Sequence, residues 1–170
     1  AVINADDDYA NFWKGLTTAN RTLTFGLDNA ADVTGEWSYG PRGIELHIVC
    51  PQGHIRADLS LLGRHNVLNA LAATAGACAL GVNARAISRG LSNMRPVPGR
   101  LALTTRADGL RVIDDSYNAN PTSTGAAINV LSGFEGHRCL VLGDMAELGT
   151  SSVDLHREVG ALAAQSGIER

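Results

Sequence analysis

The sequence predicts an α/β protein in two parts, an antiparallel β-meander with helices and then the opening of a doubly wound parallel sheet. Three observations lead there. Short apolar runs separated by Gly/Pro turns fill the chain up to Leu61, two helical patterns follow, and a strand–helix–strand–helix succession begins after Arg95-Pro96-Val97-Pro98-Gly99. Two prolines and a glycine behind a helix stop mark a boundary, which divides the chain into residues 1–96 and 97–170.

In chain order, Ala1-Val2-Ile3-Asn4 reads as the end of a strand entering the acidic loop Asp6-Asp7-Asp8. Tyr9 to Leu16 follows as a short helix with Phe12, Trp13 and Leu16 on one side, and Arg21 to Gly26 as a strand. Val33 to Trp37, Ile44 to Val49 and Ile55 to Leu61 are three strands joined by the turns YGPRG and PQG, the spacing of an antiparallel meander. From Asn66 to Leu80 the period becomes helical, with Val67, Leu71 and Ala75 on a buried stripe and Gly81 placed to end it. Asn83 is a candidate N-cap for a second helix over Ala84 to Leu91.

Beyond the boundary, Leu101 to Thr105 and Leu110 to Ile113 are strands joined through Asp108-Gly109, a hairpin-turn dipeptide. Asn120-Pro121 fits an N-cap with proline at the first helical position, opening a helix to about Leu131. Cys139 to Leu142 is wholly apolar and predicts a strand buried in a parallel sheet. Ser151 with Asp154 resembles a capping box for a last helix running to about Gln165. Both ends read as open: the first strand has no evident partner, and Gly167 to Arg170 stands where a third parallel strand would start. A larger protein is therefore expected.

Composition narrows the function. Hydrophobic residues make up 45% of the 170 and charged residues 18%, as in an ordered globular protein. The net charge is −3 with scattered basic residues, and aromatics total 5%, so neither a basic footprint nor a stacking platform for nucleic acid is present. The apolar stretch Ala70 to Val82 is too short to cross a bilayer that needs about 20 residues, which argues against membrane insertion. Cys50, Cys78 and Cys139 are odd in number and far apart, and each sits in an apolar run. They read as buried free thiols in a reducing compartment, with no metal-ligand spacing. Lys14 is the only lysine, and no GxxxxGK[ST] loop precedes it.

Candidate chemistry collects at three places. Asp114 and Asp115 end one predicted strand and Asp144 the next, where ligands bind in open α/β sheets. With Asn118 and Asn120 nearby, these carboxylates suit ribose hydroxyls, an amine or a metal-bound phosphate. The same residues also make ordinary turns after strands. In Gly63-Arg64-His65-Asn66, followed by Asn69, two carboxamides share one face of a helix's first turn and could satisfy the donor and acceptor sites of a heterocycle such as adenine; the alternative is that one Asn caps the helix, the other is solvated and His65 is an ordinary loop histidine. Arg100, directly after the linker, could reach a phosphate or be a surface arginine, and Glu147 could be a cleft carboxylate or a solvated one.

Together, GRHNVLNALAA, PVPGR, VIDDSYNANPTS and VLGDMAELG resemble, in order and interval, the motifs of the Mur ligase family over essentially the whole chain. The likeness is closest to the type that joins D-alanyl-D-alanine to UDP-N-acetylmuramoyl-tripeptide; Leu62 departs from a position where the family often has proline. The resemblance implies the tail of a central ATPase domain followed by the first half of a Rossmann-like C-terminal domain, in a cytoplasmic and monomeric enzyme of peptidoglycan precursor synthesis. It implies ATP and Mg²⁺ as cofactors, phosphorylation of the tripeptide carboxylate, and attack of the dipeptide amine on the acyl phosphate. Carried over by position, Asn66 and Asn69 contact adenine with His65 beside them, Arg100 and Asp115 approach phosphates and ribose, and Tyr117 and Asn118 line the nucleotide cleft. Asp144, Met145 and Glu147 face the dipeptide. The family's phosphate-binding loop, carbamylated lysine and UDP-binding domain have no counterpart here, so the chain by itself is expected to be inactive and to bind ATP weakly or not at all. Two rival readings are a folylpolyglutamate-synthase-like ligase and a non-catalytic nucleotide-binding module.

Overall fold

In the computed structural model, which describes residues 1–40 and 43–169, alternating apolar residues organise the first part of the chain. The chain divides into two units, Ala1–Arg95 and Pro96–Arg170.

In the first unit β1 (Val2–Asn4) lies parallel to β2 (Leu23–Phe25), with α1 (Ala10–Leu16) in the connection between them. The first strand therefore has a partner, contrary to expectation. Three-residue strands are too short to show a period in sequence. In α1 only Ala10 is buried, and Phe12, Trp13 and Leu16 stand largely in solvent. The meander forms as expected: β3 (Thr34–Gly40), β4 (Gly43–Cys50) and β5 (Gly53–Leu59) are antiparallel in that order. Pro41 and Arg42 of the YGPRG turn lie outside the described residues. Register puts Ile44 opposite Leu59, Leu46 opposite Ala57 and Ile48 opposite Ile55, so one sheet face is apolar and buried.

That face is covered by α2 (Arg64–Ala79) and α3 (Ala84–Ser92). Val67, Ala70, Leu71, Thr74, Ala75 and Cys78 form the buried stripe of α2, and the Thr74 hydroxyl donates to Ala70 O at 2.8 Å. Each large aliphatic side chain buried here contributes roughly 1.5–3 kcal/mol. Gly81, at φ +76, ends α2 in a Schellman motif: its N–H donates to Cys78 O and the Val82 N–H to Ala77 O. Asn83 caps α3 by accepting from the Ala86 N–H at 2.9 Å.

In the second unit β6 (Ala102–Thr105) and β7 (Arg111–Asp114) pair antiparallel around the Asp108-Gly109 turn. There Asp108 Oδ1 accepts from the Leu110 N–H at 3.1 Å. Helix α4 (Pro121–Ser132) opens with a full capping box: Asn120 Oδ1 accepts from the Ser123 N–H and Ser123 Oγ from the Asn120 N–H. A single 3-10 turn, Gly149–Ser151, leads into α5 (Ser152–Gln165). Ser151 makes no side-chain cap, and Asp154 instead pairs with Arg157 at 2.6 Å, so the capping box expected there does not form.

The α/β class holds, but the strand expected at Cys139 to Leu142 does not form among the described residues. Cys139 is exposed and Val141 is 91% exposed. An apolar run becomes a strand only where a neighbouring strand takes its hydrogen bonds, and among the described residues this run pairs with none; β7 is hydrogen-bonded to β6 only. Cys139 is accordingly not the buried thiol expected of it, whereas Cys50 and Cys78 are buried. Ile128, Met145 and Val159 form the core of this unit. The Arg138 guanidinium closes its lower end, donating to Ser132 O and Gly167 O at 2.9 Å each, at the ends of α4 and α5.

Candidate functional site

Two clusters of candidate residues stand one in each unit. In the first, Gly63 at φ +89 turns the chain into α2, whose first turn carries no side-chain cap. Asn66 Nδ2 donates back to Leu62 O at 2.7 Å and lies 3.2 Å from His65 Nε2. Asn69 Nδ2 donates to Asn66 Oδ1 at 3.3 Å, so the two carboxamides form one connected pair. Asn66 is half-buried, while His65 and Asn69 are exposed. A row of this kind presents a donor–acceptor edge to a planar heterocycle.

This turn is tied down by residues that sequence patterning passed over. Asp6 accepts from the backbone N–H groups of Leu27 at 2.7 Å, Asp28 at 3.1 Å and Asn29 at 2.8 Å, locking that loop. Asp28 in turn pairs with Arg64, the first residue of α2, at 2.6 Å. Burial pushes the Asp6 carboxyl up, but the Leu27, Asn29 and Asp28 N–H groups and the Arg64 charge outweigh it and hold it below the ordinary value. "Acidic loop" was the only sequence signal here, and it did not say which aspartate turns inward.

In the second unit the PGR and DDSYN loops clasp each other. The Tyr117 N–H donates to Gly99 O at 3.0 Å, and the Leu101 N–H donates to Asp115 Oδ1 at 3.0 Å. The Arg100 guanidinium carbon sits over the Tyr117 ring, 4.2 Å from its centre. Gly99 stands at φ +73, and a Cβ there would meet Tyr117 N at 3.0 Å, so the closeness of the two loops depends on glycine. Asp114 is held below the ordinary carboxylate value by the Ser116 hydroxyl first, then by the Ser116 and Gly99 N–H groups. Arg100, Asp115, Tyr117 and Asn118 are thus brought together. Asn118 Oδ1 accepts from the Ala119 N–H at 2.9 Å.

In GDMAELG the three candidates separate. Asp144 and Glu147 are exposed, and Glu147 holds a left-handed φ of +62, an uncommon conformation for a residue with a side chain. Met145 is a correction: at 3% exposure its side chain belongs to the core with Ile128 and Val159 and does not face solvent. The cause is packing: the Met145 side chain fills the core between Ile128 of α4 and Val159 of α5, and half-buried Leu148 of the same loop packs against that core. Among the described residues no group of three or more His, Cys, Asp or Glu could hold a metal ion, and no helix is long and apolar enough to cross a membrane.

Residues 1–77 match the Mur ligase middle domain, and residues 99–170 match the glutamate ligase domain of Mur ligases. This chain belongs to the Mur ligase family. Among Mur ligases, it is 40% identical to the UDP-N-acetylmuramoyl-tripeptide–D-alanyl-D-alanine ligase of Escherichia coli, over 100% of this chain and 38% of that protein. MurF from Acinetobacter baumannii superposes with a TM-score of 0.88 at 35% identity, covering 100% of this chain and 37% of that one. A MurF ligase from Thermotoga maritima, crystallised in complex with ADP, has a TM-score of 0.77 at 26% identity, covering 95% of this chain and 38% of its own. The chain therefore spans well under half the length of the Mur ligases it matches.

Proposed function

We propose that this chain is part of an ATP-dependent ligase that adds D-alanyl-D-alanine to UDP-N-acetylmuramoyl-tripeptide in cytoplasmic peptidoglycan precursor synthesis. Residues 1–96 are the tail of its ATP-binding domain, and residues 97–170 the first half of its Rossmann-like C-terminal domain. The whole protein works as a monomer. The observation that carries this reading is the clasp of PGR on DDSYN, which gathers a guanidinium, a carboxylate and an aromatic face at one end of a strand.

In the first unit the carboxamides of Asn66 and Asn69, with His65 beside them, suit an adenine edge. In the second unit Asp115 suits a ribose hydroxyl, with Tyr117 and Asn118 as further nucleotide contacts. Arg100 is the cation this reading brings to the phosphates. Mg²⁺ and the phosphate cradle do not fit this chain: it has one lysine, no glycine-rich phosphate loop, and no grouped ligands among the described residues. Asp144 and Glu147 attract the ammonium end of the incoming dipeptide; its amine, once it has given up a proton, attacks the carbonyl carbon of the tripeptide acyl phosphate, forming the amide bond as the carbon–oxygen bond to phosphate breaks and inorganic phosphate leaves.

Incubating the full-length protein with ATP, Mg²⁺, the UDP-linked tripeptide and D-alanyl-D-alanine should yield the UDP-linked pentapeptide by mass spectrometry. Glutamate in place of the dipeptide should yield no extended product. Extension of a folate with glutamate, and none of the tripeptide, would overturn the proposal in favour of the sister chemistry.

A further inference from the structure

His156, on the inner side of α5, is held between two backbone groups. Its Nδ1 lies 2.7 Å from Ser152 O, one turn earlier, and its Nε2 lies 2.9 Å from the Met145 nitrogen. A carbonyl only accepts and an amide N–H only donates, so Nδ1 carries the hydrogen and Nε2 offers its lone pair. Both ring nitrogens are committed, and the Ser152 hydroxyl, 3.4 Å from Nδ1, adds a further polar neighbour.

The partner matters because of where Met145 stands. The segment from Cys139 to Leu148 has no regular secondary structure, so it has no ladder to satisfy its backbone. Met145 is its one buried residue. Its side chain enters the core with Ile128 and Val159, and its Sδ accepts from the Thr124 hydroxyl at 3.7 Å. Its N–H is taken by His156. One residue thus pins the loop by side chain and backbone together, and the carboxylates on either side, Asp144 and Glu147, are left facing solvent.

We infer that His156 is a positioning residue for the amine substrate: through the Met145 N–H it sets the height and direction of Asp144 and Glu147. This rests on the proposed function, which assigns those carboxylates to the dipeptide. His156 acts only through the loop and touches no reacting atom.

The test uses the full-length protein and measures KM for D-alanyl-D-alanine and for ATP separately. His156→Phe keeps the ring's bulk and removes the acceptor; His156→Gln loses the ring and keeps an acceptor near the Nε2 position. The Phe variant should raise the dipeptide KM roughly tenfold, equivalent to about 1.4 kcal/mol, with the ATP KM within about twofold. The Gln variant should recover most of that loss. A role in stability alone would lower the active fraction and leave both KM values where they were. Asp144→Asn and Glu147→Gln test the underlying reading. If they raise the dipeptide KM while His156→Phe does not, the inference is overturned and the reading stands. If they leave it unchanged while His156→Phe raises it, the carboxylate assignment fails and His156 still positions the loop. A parallel rise in both KM values in the Phe variant also overturns the inference.

Discussion

Gly99→Ala perturbs the clasp between PGR and DDSYN at its tightest point, and Gly109→Ala provides a matched reference. Both glycines have a left-handed φ, +73 and +85, so each alanine meets the same backbone penalty, about 1–2 kcal/mol. They differ in surroundings. A Cβ at residue 109 meets nothing within 4 Å, whereas one at residue 99 meets Tyr117 N at 3.0 Å and Tyr117 Cβ at 3.2 Å. Relief requires the loops to part, which weakens the Tyr117 N–H bond to Gly99 O and costs a further ~0.5–1.5 kcal/mol. Gly109→Ala should therefore lose about 1–2 kcal/mol and Gly99→Ala about 2–3. At roughly 4–8 °C per kcal/mol for a unit of this size, that is a difference readable in a melting curve. Far-UV circular dichroism follows both units. Trp13 and Trp37 lie in the first unit, so their fluorescence supplies a separate signal for it. Equal losses for the two variants, or a smaller one for Gly99→Ala, would show that the clasp is not packed as described.

Asn120→Ala removes the acceptor of the α4 capping box and should cost about 1 kcal/mol, measured by urea unfolding, with Asn120→Asp close to wild type; a neutral alanine variant would contradict the cap. Leu71→Ala, at a fully buried position of α2, should cost about 2–5 kcal/mol in the same assay, and a loss under 1 would mean that the stripe is not packed. Thiol labelling with a disulfide reagent at pH 8 should find one fast cysteine, exposed Cys139. Cys78 stays unreactive because burial, then the hydrogen bond and charge of Cys50, push its thiol up to about 11. Two fast thiols would refute that. Asp6 has a folded pKa below its unfolded value of about 3.9, so its stabilising effect is present above that value and is lost as pH falls through the lower folded one. The stability gap between wild type and Asp6→Asn should accordingly shrink on acidification from pH 6 to pH 2.5, and a gap that stays constant would contradict the loop lock.

Where the chain signals its own pairing, structure and sequence agree. Ile44, Leu46, Ile48 and Cys50 alternate along β4, and both the buried face and the register with β5 follow from that period. Gly81, Asn83, Asp108-Gly109 and Asn120-Pro121 each act through their own backbone neighbours, so their turns and caps were readable from composition alone. Failures occur where a partner decides. Cys139 to Leu142 has the composition of a buried strand but pairs with no strand among the described residues, so Cys139, Val141 and Leu142 are exposed and Leu140 alone of the four packs against the core. At the site, the PGR and DDSYN residues were legible as candidates because turn residues gathered at a strand end. Their clasp was not, since Arg100 and Tyr117 meet only in the folded chain. Asp6 and His156 were passed over for the same reason. Their partners are backbone N–H groups 21 and 11 residues away, and no spacing rule reaches that far.

We propose that this chain carries nucleotide and amine recognition for a ligase whose phosphoryl-transfer groups come from residues outside these 170. The most direct test is ADP release, measured side by side for the full-length protein and for the 170-residue chain, with the UDP-linked tripeptide, ATP and Mg²⁺ present. The full-length protein should release ADP only when D-alanyl-D-alanine is added, and the 170-residue chain should release none. Dipeptide-dependent ADP release by the 170-residue chain, or release by the full-length protein that ignores the dipeptide, would overturn that division of labour.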